Sequence, residues 1–238
     1  DGIRDIGVTG VQTCALPIFL HFLRPEDLFV DIGANSGAYT ILASGVTRAR
    51  TVAFEPIPSV FKRLEQNVKL NNLESLTQAV NLGLGDSEGL PYFTNNNDTV
   101  NHVVYPTEET NEIEEVRVTT LDAYLGQTSP ILIKIDVEGY EKPVFDGAVQ
   151  TLKDPNLKAI IVELNGSGVR YGFDESQIIE ALASAGFNCY EYDPKSRLLS
   201  PVAGKNANSG NSLFIRDLAF ARDRVKGAAK FKILGQEI

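Results

Sequence analysis

From Asp27 onward, short apolar runs alternate with stretches whose apolar residues recur every three or four positions. That pattern predicts an α/β fold, a largely parallel sheet with helices on both faces. LFVDIG (28–33) reads as a strand ending at a glycine, and Ala38–Ser44 as the helix after it. TVAFEP (51–56) is a second strand, stopped by Pro56. Pro58 and Ser59 then open a helix carrying Val60, Leu64 and Val68, closed by Asn71 and Asn72. Residues 77–86 give a third strand and a turn, 91–118 a polar excursion between short strands, and Thr120 with LDAYL a short helix. PILIKIDVEG (130–139) predicts a strand followed by a helix through Leu152, and KAIIVELNG (158–166) another strand. Asp174 and Gln177 predict a capping box for a helix ended by Gly186. Phe187–Tyr192 and Ser212–Arg216 predict a closing antiparallel pair around the loop 200–211, and the basic tail RDRVKGAAKFK a terminal amphipathic helix. No internal repeat or linker interrupts residues 19–238, so they read as one domain.

In a doubly wound sheet, ligands bind beyond the carboxyl ends of the strands, where the strand order reverses. The first strand ends in Asp31-Ile32-Gly33-Ala34-Asn35-Ser36-Gly37, whose glycines allow a tight turn and close backbone approach. The second ends at Glu55, 22 residues beyond Gly33, the place of a carboxylate that accepts from ribose hydroxyls. Ala34 and Asn35 follow Gly33, so the second glycine of a dinucleotide G-x-G-x-x-G is missing, and no P-loop is present. A glycine loop and an acidic residue without a phosphate cradle suit a nucleoside cofactor that carries no phosphate, such as S-adenosylmethionine.

VDIGANSGAYT, FEPIPSVFKRLEQNVKLNN, TLDAYL and IKIDVEGYE, in that order, resemble the FkbM-family methyltransferases, and VELN and NSLFIR extend the likeness over Leu28–Arg216. The resemblance implies a class I, Rossmann-like doubly wound sheet, mostly parallel with a reversed last strand. It also implies S-adenosylmethionine as cofactor and methylation of a hydroxyl. By position, Asp31, Gly33, Ala34, Asn35 and Gly37 would line the methionine and ribose, Glu55 would take the ribose hydroxyls, and Pro56 and Leu84 would border the adenine. Ser36 stands where the family often has an apolar residue.

In a strand, Lys134, Asp136 and Glu138 share one face. A lysine among apolar residues needs a carboxylate partner, with Asp31, Asp136 and Glu163 as candidates. Methyl transfer to a hydroxyl requires alignment and removal of its proton. The candidate catalytic groups are Asp136, Glu138 and His102, with Glu163 as a further possible base. No metal is assigned, although Asp136, Glu163 and Asn165 at neighbouring strand ends would suit Mg²⁺.

The net charge of −9 over 238 residues argues against nucleic-acid or anionic-membrane partners and for a small-molecule acceptor. No apolar run has the length of a membrane span. Two cysteines, Cys14 and Cys189, make no disulfide framework, which points to the cytoplasm. The first eighteen residues, DGIRDIGVTGVQTCALPI, resemble a translated sequencing adapter and are expected to be non-native. Two other functions compete with the methyltransferase: an NAD(P)-dependent oxidoreductase on a related sheet, and a non-catalytic cofactor-binding relic. Neither the acceptor's identity nor the oligomeric state is written in the sequence.

Overall fold

The computed structural model describes residues 16–95, 101–104, 112–208, 210–233 and 236–237. In chain order its strands are β1 (Leu28–Ile32), β2 (Arg50–Phe54), β3 (Thr77–Val80), β4 (Gly83–Leu84), β5 (Tyr92–Thr94), β6 (Ile113–Glu115) and β7 (Val118–Thr119). There follow β8 (Leu132–Ile135), β9 (Ala159–Glu163), β10 (Asn188–Asp193), β11 (Leu198–Pro201), β12 (Asn211–Ile215), β13 (Lys232–Ile233) and β14 (Gln236–Glu237). The helices are α1 (Leu16–Phe22), α2 (Ala38–Ile41), α3 (Pro58–Leu70), α4 (Leu121–Leu125), α5 (Glu141–Asp146), α6 (Val149–Lys153), α7 (Glu175–Ser184) and α8 (Leu218–Lys226).

Eight strands form one sheet in the order β11-β10-β12-β9-β8-β1-β2-β3. β3, β2, β1, β8 and β9 are mutually parallel, whereas β12 runs antiparallel between β9 and β10. This is the reversed strand that the family resemblance implied. The order reverses at β1, which lies between β2 and β8, so the carboxyl ends of these strands frame a crevice.

Alternation along β1 sends Val30 and Ile32 into one apolar cluster, with Phe54, Ile133, Ile135 and Val162, and Phe29 into the cluster on the opposite face. The first is covered by Leu121, Val144 and Leu182 from α4, α5 and α7, the second by Phe19, Tyr39 and Val225 from α1, α2 and α8. Along α3, Val60, Leu64 and Val68 are buried, as their spacing predicts. Among the described residues, no helix is long and apolar enough to cross a membrane.

The structure revises several expected elements. The helix expected over 38–44 is α2 followed by a π-helical turn, Leu42–Thr47, in which the Thr47 hydroxyl donates to the Ala43 carbonyl at 2.7 Å. The helix expected to run through Leu152 breaks at Gly147–Ala148. A Cβ on Gly147 would lie 2.0 Å from the Gly85 carbonyl oxygen, so this close approach demands glycine. Instead of a capping box, the Asp174 carboxylate accepts from Ser176 N–H at 2.9 Å. The loop expected over 200–211 begins inside a strand, because β11 pairs with β10 in a hairpin at the sheet edge. Of the opening segment, 1–15 lie outside the described residues, while Leu16–Ile18 belong to α1 and Ile18 is buried.

Candidate functional site

The crevice at the strand-order reversal opens into a cavity of about 300 Å³. One side is the turn after β1. Gly33 has φ +73°, and a Cβ there would lie 1.9 Å from the Asp136 carbonyl oxygen. The turn is therefore pressed against the segment that follows β8, and only glycine fits. Asn35 also takes a left-handed conformation, φ 51°, and its side-chain oxygen accepts from Ser36 N–H at 2.7 Å.

Glu55, just past β2, fixes this turn from the other side. Its Oε2 accepts from Asn35 N–H at 2.9 Å and its Oε1 from Ile57 N–H at 3.0 Å. Asn81 donates to the carbonyls of Glu55 and Pro56 at 2.9 and 2.8 Å, holding that backbone. Burial pushes the Glu55 carboxyl up to about 7, against the lowering effect of the two N–H donors.

Of the residues expected to touch the cofactor, Gly33, Ala34, Asn35, Glu55, Pro56 and Leu84 line the cavity. Two other expected cofactor residues do not. Asp31 is fully buried beneath the turn, where its Oδ2 accepts from the Thr40 hydroxyl at 2.6 Å. Gly37 precedes α2 with φ +90° and faces Leu64, so it shapes the turn from behind.

Opposite this wall stand the ends of β8 and β9. β1 and β8 pair Asp31 with Lys134, and β8 and β9 pair Ile135 with Val162. The next residues in line, Asp136 and Glu163, therefore sit side by side, and both line the cavity. Lys134 is 2% exposed, and its Nζ donates to Asp136 Oδ2 at 3.0 Å, lies 3.9 Å from Asp31 Oδ1 and sits 4.6 Å from the centre of the Tyr39 ring. Burial alone would lower its pKa, but Asp136 and Asp31 outweigh that and hold it above its ordinary value. The expected carboxylate partner thus exists, and it is double. Burial raises the Asp31 carboxyl, although Lys134 and Thr40 oppose the shift.

Glu138 does not continue the strand face as expected. β8 ends at Ile135, and Glu138 adopts φ 54° in a turn that brings it into the cavity wall by another route. The buried carboxylate of Glu141 organises this turn, accepting from Val137 N–H at 3.2 Å and Gly139 N–H at 3.1 Å. Burial raises Glu138, with Asp136 as the nearest like charge, and pushes Glu141 up to about 7. Glu163 is pushed up to about 8, first by burial and then by the charge and hydrogen bond of Asp136.

His102 does not join these groups in lining the cavity. Phe93 pairs with Val103, so Asn101 enters the lining and Val103 is buried, while His102 is the residue that alternates between them. The side-chain oxygen of Asn165 is turned to the next loop, where it accepts from Ser167 N–H at 2.9 Å and from the Ser167 hydroxyl. The carboxylates that do converge are Asp136, Glu138 and Glu163, with oxygens within 4.8 Å of one another. The ammonium of Lys134 already supplies the positive charge on Asp136.

Tyr39 was missed in the sequence reading. It lines the cavity, and its buried hydroxyl has no hydrogen-bond partner among the described residues; burial pushes it up to about 12. Its only sequence signal is its place two residues past Gly37. Tyr140 and Phe93, also in the lining, give the cavity an aromatic edge. A second cavity, of about 380 Å³, lies against β10 and β12 and has no glycine turn.

Comparison with known proteins agrees with this geometry. The profile of the methyltransferase FkbM domain matches residues 31–189. The hexuronic acid methyltransferase AglP of Haloferax volcanii is 29% identical over 185 residues, which cover 77% of this chain and 71% of that protein. Methyltransferase 1 of Beauveria bassiana is 31% identical over 149 residues, covering 52% of this chain and 59% of its own. The crystal structure of the FkbM methyltransferase from Methylobacillus flagellatus KT superposes with a TM-score of 0.55 at 16% identity; the match covers 81% of this chain and 44% of that one. The domain match, carrying with it both the glycine turn and the IKIDVEGYE segment, shows that the chain belongs to the FkbM methyltransferase family.

Proposed function

We propose that the protein transfers a methyl group from S-adenosylmethionine to a hydroxyl of a small molecule, sugar or lipid. The observation that carries this reading is that the turn 33–36 and Glu55 share one cavity with Asp136 and Glu163. The donor set suits that cofactor. A carboxylate at Glu55, in the cavity wall, supports acceptance from ribose hydroxyls, and the buried Tyr39 hydroxyl has no hydrogen-bond partner among the described residues. The surplus of carboxylates over the one ammonium favours a cationic ligand over a phosphate. When bound, the cofactor supplies a methyl on a sulfonium sulfur; the acceptor oxygen gains that methyl and gives up its proton, while the carbon–sulfur electron pair stays on sulfur. The protein's part is to hold Glu55 and the backbone of 33–36 rigid, to present Asp136 and Glu163 to the acceptor, and to shield the reaction with Tyr140 and Phe93. The relative named for a hexuronic acid supports a sugar among the acceptors considered. The net charge of −9 supports a small molecule over a nucleic acid.

Calorimetric titration of the whole chain with S-adenosylhomocysteine, with NADH as control, tests the cofactor. Saturable binding of the first and none of the second is expected. Glu55→Ala is expected to weaken binding on the order of 10- to 100-fold, the value of one or two hydrogen bonds to a charged group. Absence of binding by a folded protein, or saturable binding of NADH alone, would overturn the reading.

A further inference from the structure

We propose that Asp136 and Glu163 act as one proton-sharing carboxyl pair that takes the proton from the acceptor, and that the acceptor group is for that reason a neutral hydroxyl and not a carboxylate. This deepens the methyltransferase reading and rests on it.

The pair is built by register. β8 and β9 are adjacent and parallel, and the residues that follow the Ile135–Val162 pairing meet at the cavity wall with carboxylate oxygens within 4.8 Å of each other. Two carboxylates held this close in a partly buried wall resist double ionisation, so one of them retains a proton and the pair shares it. Lys134 decides which one. Its buried ammonium donates to Asp136 and is fixed below by Asp31 and by the Tyr39 ring, which favours the shared proton on Glu163, the carboxyl away from the ammonium. The groups that face Glu163 are Asp136 and Lys134 from β8 and its end, Glu138 from the following turn and Tyr39 from α2. Arg170 and His102 act electrostatically on Glu138, opposing the effect of Asp136. Glu163 thus has one ammonium and two carboxylates as its nearest charges, a setting that favours its protonated form.

A base whose conjugate acid titrates near working pH removes a proton most effectively. Once Glu163 has released its own proton to solvent, it accepts the proton of the acceptor hydroxyl and shares it with Asp136. The pair thereby regains the single proton it began with, and the proton given to solvent at the outset balances the positive charge that arrived with the methyl group. A carboxylate acceptor has no proton to give, and would enter a wall lined by Asp136, Glu138 and Glu163, whose one ammonium, Lys134, is already bound to Asp136. Like charges in such confinement disfavour it.

Infrared difference spectroscopy of the whole chain, saturated with S-adenosylhomocysteine, tests the pair directly. A protonated-carboxyl band is expected at pH 7, fading as pH rises through about 8 and absent from Glu163→Gln. Glu163→Gln should bind S-adenosylhomocysteine within a few-fold of the parent, which shows that the fold and the cofactor site survive. No such band, or a band that Glu163→Gln leaves in place, overturns the pair. Transfer of labelled methyl from S-adenosylmethionine to methyl glucoside and to glucuronic acid then tests the acceptor class. An alkali-stable ether, formed 10²- to 10⁴-fold more slowly by Glu163→Gln, supports it; an alkali-labile ester overturns it. Loss of transfer in EDTA that Mg²⁺ restores would also overturn it, by giving the carboxylates to a cation. If S-adenosylhomocysteine does not bind at all, the methyltransferase reading has failed; binding without the band is failure of the pair alone.

Discussion

Gly33 and Gly37 bracket the same turn, and both have positive φ, yet the structure separates what each contributes. At Gly33 a side chain would strike the Asp136 carbonyl, which is backbone and cannot rotate away. At Gly37 it would meet Leu64 Cδ1 at 2.6 Å, the far end of a flexible side chain. A left-handed conformation costs an ordinary residue about 1–2 kcal/mol, and overpacking adds about 1–3 kcal/mol where neighbours cannot yield. Gly33→Ala is therefore expected to lose about 2–5 kcal/mol in urea unfolding and its affinity for S-adenosylhomocysteine with it. Gly37→Ala should lose only about 1–2 kcal/mol and keep most of that affinity. Equal losses from the two substitutions would contradict the close approach of the β1 and β8 turns. At this scale the sequence is legible where chemistry demands a residue type at a fixed offset. Gly33 and Glu55 stand out because a turn and a ribose-binding acid have recognised spacing. Tyr39 and Glu141 do not, because an aromatic or acidic residue early in a helix is equally compatible with plain packing or solvent exposure. Only the fold shows that the one lies over Lys134 and the other collects two backbone N–H groups.

Among the elements, α6 shows how a helix start can be set from a distance. The Asp122 carboxylate, in α4, accepts from Gln150 N–H at 2.7 Å and from Thr151 N–H and its hydroxyl at 2.8 and 2.7 Å. These are first-turn donors of α6, the groups that an N-cap side chain normally satisfies. Asp122→Ala removes that cap while leaving the exposed surface otherwise intact, and is expected to lower stability by about 1–2 kcal/mol. Asp122→Asn, which keeps an acceptor, should lose less. Chemical denaturation of the two variants checks the order, and a neutral Asp122→Ala would remove the cap from the account. The same contact explains why a continuous helix through Leu152 is the natural reading of the sequence yet not the outcome. Periodicity registers the apolar face of 141–153, whereas the break depends on Gly85 and Asp122, which are remote in sequence. The strands at the centre of the sheet were legible for the opposite reason. Buried on both faces, β1, β8 and β9 are apolar nearly throughout, and their ends coincide with the residues that carry chemistry. β11, at the edge, is buried at only one of its four positions and carries no such signal in the sequence.

Taken across the molecule, the buried carboxyls of the crevice impose a direction on the dependence of stability on pH. Glu55 and Glu141 are pushed up to about 7 and Glu163 to about 8, in each case first by burial. In the unfolded chain the same groups titrate near 4.5, so between that value and 7–8 the folded protein binds more protons than the unfolded one. Where the native state binds the excess, stability falls as pH rises. The stabilisation is complete below the unfolded values and is lost as pH climbs through the folded ones. The chain contains only two histidines, so few other side chains titrate in this window to mask the effect. The melting temperature of the cofactor-free protein is therefore expected to be higher at pH 5.5 than at pH 8.5. Glu141→Gln should flatten the slope, since a glutamine oxygen can still accept from Val137 and Gly139 but no longer ionises. A melting temperature that climbs from pH 5.5 to 8.5, or a slope that Glu141→Gln leaves unchanged, would mean that solvent or rearrangement relieves these carboxyls. If the slope is as expected, the acids that equip the crevice for a cationic cofactor oppose one another in its absence, and S-adenosylmethionine should raise the melting temperature more at pH 8.5 than at pH 5.5.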